Sequence, residues 1–159
     1  MAATGRIAAR LAEIGVALPT PAKPVANYVP TVRTGNLLVV SGQVPVRDGA
    51  LAYTGHVGST VTPEDGRAAA RLCLVNVLAQ AAAALDGDLD RVVRVVRLGG
   101  FVACAPDFTG HAVAMNGASD LAVEVFGEAG RHARSTIGVP SLPGGAAVEV
   151  EAIFEVRDP

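Results

Sequence analysis

The chain of 159 residues contains no tryptophan, and its two Tyr and four Phe make up only 4% of it. Few rings are available to stack nucleobases or clamp sugars, and the apolar half of the sequence is aliphatic: Ala, Val and Leu. A charge excess is lacking too, because 13 Lys and Arg against 15 Asp and Glu leave a net charge of −2. That balance gives no electrostatic footprint for nucleic acid, which is not an expected partner. The two cysteines, Cys73 and Cys104, lie in apolar surroundings without CxxC spacing, so a disulfide scaffold is not expected. The three histidines, His56, His111 and His132, show no HxH, HxxxH or HExxH spacing, and no metal or cofactor is expected. No apolar run reaches the ~18–20 residues that span a bilayer. With no secretory signal in view, the chain is expected in the cytoplasm.

What is present reads as a single domain over 1–159. Ile7, Leu11 and Ile14 fall at i, i+4 and i+7, which fits an amphipathic helix within 1–18 docked on the domain. Arg6 and Arg10 ahead of the first acid, Glu13, also give this stretch a faint look of a transit peptide. A proline-rich connector, 19–24, opposes helix and central strand alike. Tyr28 to Val32 and Leu37 to Ser41 read as strands around the turn Thr34-Gly35-Asn36, and Leu51 to Thr54 as a short strand after Arg47-Asp48-Gly49. Thr62-Pro63-Glu64-Asp65 starts a helix that runs to about Leu85, apolar nearly all round apart from Asn76 and Gln80. Arg91 to Cys104 is a long β-branched strand, Asn116 to Gly127 a helix, and His132 to Val139 and Ala147 to Val156 two further strands.

This order predicts an α+β fold with two helices on one face of a mixed sheet, plus the N-terminal helix. The opposite sheet face, with Glu149, Glu151 and Glu155 beside Ile153, is half apolar, which points to oligomerisation and to sites between subunits.

Among candidate groups, Ser41 is outside any GxSxG elbow, Cys73 reads as core, and Cys104 has no histidine adjacent in sequence. Arg134, near a strand start with Ser135 and Thr136, is the best single feature. A guanidinium on a sheet costs desolvation unless it meets an anion. Two readings stand: a salt bridge to one of the glutamates, or a planar fork holding a substrate carboxylate.

Three stretches together resemble the RidA/YjgF family of reactive-intermediate deaminases, formerly described as L-PSP endoribonucleases. The first runs from Asn27-Tyr28-Val29 through Thr34-Gly35-Asn36 to Ser41-Gly42-Gln43-Val44-Pro45. The second is Ala133-Arg134-Ser135 through Leu142-Pro143 to Val148-Glu149-Val150-Glu151-Ala152-Ile153. Between them, Asn76-Val77 and Arg91-Val92-Val93 match in order. The likeness covers Val25 to Val156, and the N-terminal helix marks a longer-chain branch. It implies a chorismate-mutase-like subunit in a homotrimer with sites between subunits, and hydrolysis of 2-imino acids to 2-keto acids and ammonia. Arg134 and Glu149 match its catalytic positions; Tyr28, Ser41, Asn116 and Thr136 match substrate-binding ones. At Thr136 the best-known members carry Cys, and the stretch Phe108 to Asn116 is longer than in short members. The segment Asp107 to Met115 is therefore expected as a flap over the site. A ribonuclease and a non-catalytic carboxylate binder or holdase are the competing functions.

Overall fold

The computed structural model describes residues 5–24 and 26–159. Its main sheet has five strands in the order β1-β2-β7-β5-β6. These are β1 (Thr31–Thr34), β2 (Leu37–Gln43), β5 (Val92–Ala103), β6 (Ala133–Val139) and β7 (Val148–Val156). All neighbours are antiparallel except β5 and β6, so the sheet is mixed, as expected. A small hairpin of β3 (Val46–Arg47) and β4 (Ala50–Leu51) stands apart. Helices α2 (Pro63–Ala84) and α3 (His111–Phe126) cover one face, α2 over β2 and β7, α3 over β5 and β6. Phe154, Leu38, Leu74, Leu78, Leu98, Met115 and Leu121 fill the space between.

Local chemistry accounts for the elements. The Thr62 hydroxyl accepts the Asp65 N–H at 3.1 Å, Pro63 occupies the first turn, and α2 ends at Leu85. The polar residues that interrupt α2 have structural partners. Asn76 Nδ2 donates to Val44 O and Val46 O at 3.0 and 3.1 Å, and Gln80 Nε2 to Ala22 O at 2.8 Å. They hold the β2–β3 loop and the proline connector against the helix. In β7, Val148, Val150, Ala152, Phe154 and Val156 are buried while the residues between them are only partly covered.

Helix α1 (Arg6–Glu13) docks through buried Ile7 and Leu11, and the Asp90 carboxylate accepts the Arg6 and Ile7 N–H groups at 2.7 and 2.8 Å. An acid at a helix N-terminus satisfies donors the helix itself leaves free. The helix occupies only part of the expected 1–18 stretch, whose first four residues lie outside the described ones.

Three expectations are corrected. Strand β1 starts at Thr31, because Pro30 has no N–H to contribute and only its carbonyl pairs, with Ser41 N–H at 2.9 Å. The strand expected over Leu51–Thr54 shortens to Ala50–Leu51, with Thr54 bridging singly to Ala146. Helix α3 begins at His111, not Asn116, so much of the expected flap is helix. Ala114, Met115, Ala118, Leu121, Ala122 and Val125 form one buried stripe that carries the helical period back past Asn116.

Candidate functional site

Arg134 projects from edge strand β6 toward α3. Its Nη1 donates to Asn116 Oδ1 at 2.9 Å and to Ser119 Oγ at 3.0 Å. Among the described residues no carboxylate lies within ion-pair distance of it, so the salt-bridge reading does not hold. Among the described residues its contacts use one guanidinium nitrogen, leaving the Nη2 and Nε edge without an acceptor. On the same face Thr136 buries its hydroxyl oxygen with no hydrogen-bond partner. An orphaned hydroxyl beside a half-used guanidinium is an unfinished polar surface.

Ser119 is held in turn. Its Oγ lies 2.9 Å from His132 Nε2, and His132 Nδ1 lies 2.6 Å from Gly130 O. A carbonyl can only accept, so Nδ1 carries a proton, and in the neutral ring Nε2 then takes the Ser119 hydroxyl proton.

Glu149 stands on the other side of the sheet. Arg134 is in register with Leu98, and Glu149 with Phe101, three residues further along β5. An odd separation on a continuous strand puts the two side chains on opposite faces. The Glu149 carboxylate lies against Gly42, where any β-carbon would collide with it. Between the pairs Val40–Ala152 and Gln43–Val150, two residues of β2, Ser41 and Gly42, oppose the single Glu151 of β7, so Ser41 and Gly42 form a bulge at this point. Burial raises the Glu149 pKa above the usual carboxylate value, and neighbouring Glu151 adds to the shift.

Ser41 Oγ donates to Val29 O at 2.8 Å, tying the bulge to the segment that carries Tyr28. Tyr28 is 51% exposed and, with Gly42, borders a cleft of about 550 Å3 between the connector and α2. The structure thus sorts the six expected residues into two groups: Tyr28, Ser41 and Glu149 around the bulge, and Asn116, Arg134 and Thr136 between β6 and α3. One chain does not unite them.

The outer sheet face, the one that carries Glu149, is half apolar. Val32, Val39 and Ile137 are exposed there, beside an Arg97–Glu151 ion pair at 3.0 Å.

Several residues at the site were not foreseen. Gly42, Ser119 and His132 are among them, although Ser119 follows Asn116 at helical spacing and His132 precedes Arg134 by two. The histidine that Cys104 lacked in sequence is supplied by the fold: His111 Nε2 lies 3.4 Å from its Sγ. Both side chains fill the space left by bare Gly138. Burial pushes the Cys104 thiol pKa up, so the pair holds a thiol rather than a thiolate. Each histidine has a separate local partner, since His56 Nε2 lies 2.8 Å from Pro140 O. No helix among the described residues is long and apolar enough to cross a membrane.

A mixed sheet backed by two helices, with an arginine held by neutral groups on one face and a half-buried glutamate on the other, defines the class. The chain belongs to the YjgF/chorismate mutase-like family, whose description adds "putative endoribonuclease" and whose model matches residues 8–155. It is similar to Protein TCP17 of Trypanosoma cruzi, 51% identical over 157 residues that cover 98% of each chain. The crystal structure of Atu1372 from Agrobacterium tumefaciens, a protein described as of unknown function, superposes with a TM-score of 0.90 at 50% identity, covering 95% of this chain and 92% of that one. The E. coli protein TdcF, solved with bound serine, superposes with a TM-score of 0.64 at 26% identity, covering 87% and 94%.

Proposed function

We propose that this protein hydrolyses reactive 2-imino acids and their enamine tautomers to 2-keto acids and ammonia, in sites completed by two copies of the chain. The observation that carries the reading is Arg134: a cation fixed by Asn116 and Ser119, with no protein anion and one fork edge free for a carboxylate. The bound serine in the related TdcF structure, a small amino acid with that same carboxylate, supports it.

An imine carbon is already electrophilic, so the site has only to hold the acid, place water and move protons. Arg134 anchors the carboxylate. Starting from the protonated imine, Glu149 takes a proton from the water as its oxygen bonds to the carbon and the C=N π pair moves to nitrogen, giving a neutral carbinolamine. Glu149 returns that proton to nitrogen, the C–N bond breaks and ammonia leaves, and the freed carboxylate takes the hydroxyl proton as the C=O of the keto acid forms. The raised Glu149 pKa suits a group that must both accept and release that proton. Tyr28 and Ser41 line the pocket on the Glu149 side, Asn116 and Thr136 on the Arg134 side.

Opposite-face placement favours a site shared by two copies, and the half-apolar outer face offers the second copy a surface. A closed homotrimer is the assembly we propose. The ribonuclease reading has less support, because four arginines at the surface are tied to carboxylates: Arg33 to Asp158, Arg67 to Asp120, Arg71 to Glu124, Arg131 to Glu128. A phosphate backbone would have to compete with each of them.

The test is a coupled assay in which an amino-acid oxidase generates the imine and semicarbazide traps what remains. The reading predicts less semicarbazone when the protein is present. Undiminished semicarbazone across small and bulky imino acids overturns it.

A further inference from the structure

We propose that His132, acting through Ser119, is a positioning residue that sets the geometry of the Arg134 fork and with it the affinity for the substrate carboxylate. The inference rests on the carboxylate-binding role of Arg134 argued above. It concerns what makes that arginine a ready-made site.

A free arginine side chain rotates about several bonds, and ordering it on a ligand costs conformational entropy. Arg134 is ordered in advance. Asn116 Oδ1 and Ser119 Oγ, three residues apart on α3, both accept from Nη1, which fixes one end of the guanidinium plane and directs the Nη2 and Nε edge away from the helix. Asn116 Oδ1 can only accept, so its place in this pair is unambiguous. Ser119 is different. A hydroxyl can donate as well as accept, and it presents a steady acceptor to Arg134 only if its own proton is engaged elsewhere.

His132 engages it. The Gly130 carbonyl, 2.6 Å from Nδ1, holds the proton of the neutral ring there and leaves Nε2 as a lone pair, 2.9 Å from Ser119 Oγ. The chain therefore has one direction: His132 donates to Gly130, Ser119 donates to His132, and Arg134 donates to Ser119. Its far end is backbone in the short turn Gly127–Gly130 that follows α3, so the relay ties the guanidinium to the frame of the fold. This is the arrangement by which outer groups fix the orientation of a binding group.

The tests use the full-length protein and two readouts: imine hydrolysis, and equilibrium binding of 2-oxobutanoate, a carboxylate that needs the anchor but no chemistry. His132→Ala is expected to raise KM, and weaken 2-oxobutanoate, about tenfold, with kcat within about twofold. Ser119→Ala should do the same. The double variant should be no worse than either single one, since both break one chain. His132→Gln, whose Oε1 can accept the Ser119 proton where Nε2 did, should recover most of the loss. If His132→Ala is poorly folded, Ser119→Ala and His132→Gln decide the question alone.

Unchanged KM and unchanged 2-oxobutanoate binding in Ser119→Ala overturn the relay. So do additive losses in the double variant, or no recovery with Gln. Absence of imine hydrolysis in the unaltered protein, with 2-oxobutanoate binding that still follows the relay, removes the deaminase reading and leaves the positioning role standing.

Discussion

Arg134 and Glu149 project from opposite faces of one sheet, in register with Leu98 and Phe101 of the strand between them. No rotamer change joins them in a single chain, because the sheet itself lies in the way. Every expectation about activity here is therefore also one about assembly.

Replacing Arg134 by Ala should remove most imine hydrolysis, a loss of roughly 2–4 kcal/mol in kcat/KM. The fold should survive, because no ion pair is lost with it. Arg134→Lys should recover little, since an ammonium lacks the planar fork. Steady-state kinetics with circular dichroism as the folding control checks this.

Glu149→Gln should abolish turnover and yet make the protein more stable at neutral pH. Burial holds the folded-state pKa of Glu149 above its unfolded value. Between those two values the folded state binds more protons, so stability falls as pH rises through the window. Above it the ionised carboxylate is the costly form, and Gln removes that cost. Solvent screening at a half-exposed site keeps the gain below about 1 kcal/mol. Melting curves should show the variant ahead at pH 7 and level with the parent near pH 4.

Gly42→Ala puts a methyl group where the Glu149 carboxylate lies. The atoms in its way are the flexible end of one half-buried side chain, which can swing aside, so the fold should lose little stability. Displacing a proton-handling group by about an ångström should nonetheless cost on the order of a hundredfold in rate. Steady-state kinetics beside a melting curve checks both halves of the expectation.

Ile137→Asp should separate the copies. Ile137 is 52% exposed on the outer sheet face, where a buried charge would have no partner. Light scattering should report a smaller particle, and activity should fall with it although the Ile137 side chain faces away from Arg134, three residues before it on β6. A full-sized assembly with normal rates would move the interface elsewhere.

Much of this architecture is legible from residue order because its strongest signals are local. The alternation Val148-Glu149-Val150-Glu151 declares a half-buried strand, and Thr62-Pro63 declares a helix start. The start of α3 is harder to see, because Gly110 and His111 read as loop until Met115 is known to lie under β5. The pairing of Cys104 with His111 depends on a loop that brings residues seven apart back together. The opposite placement of Arg134 and Glu149 depends on register across three strands, which no single segment encodes. The bulge at Ser41-Gly42, which slips β2 by one residue against β7, is likewise written in no single segment.

The split placement of the two groups also allows genetic complementation. A chain carrying Arg134→Ala keeps its glutamate, and one carrying Glu149→Gln keeps its arginine, so each is inactive by itself. Refolded together in equal amounts, they should form mixed assemblies in which about a quarter of the interfaces pair an intact arginine with an intact glutamate. Activity should then appear from two dead proteins. It would be a gain of function that no contamination of either pure variant could imitate, and it would count the copies that share one site.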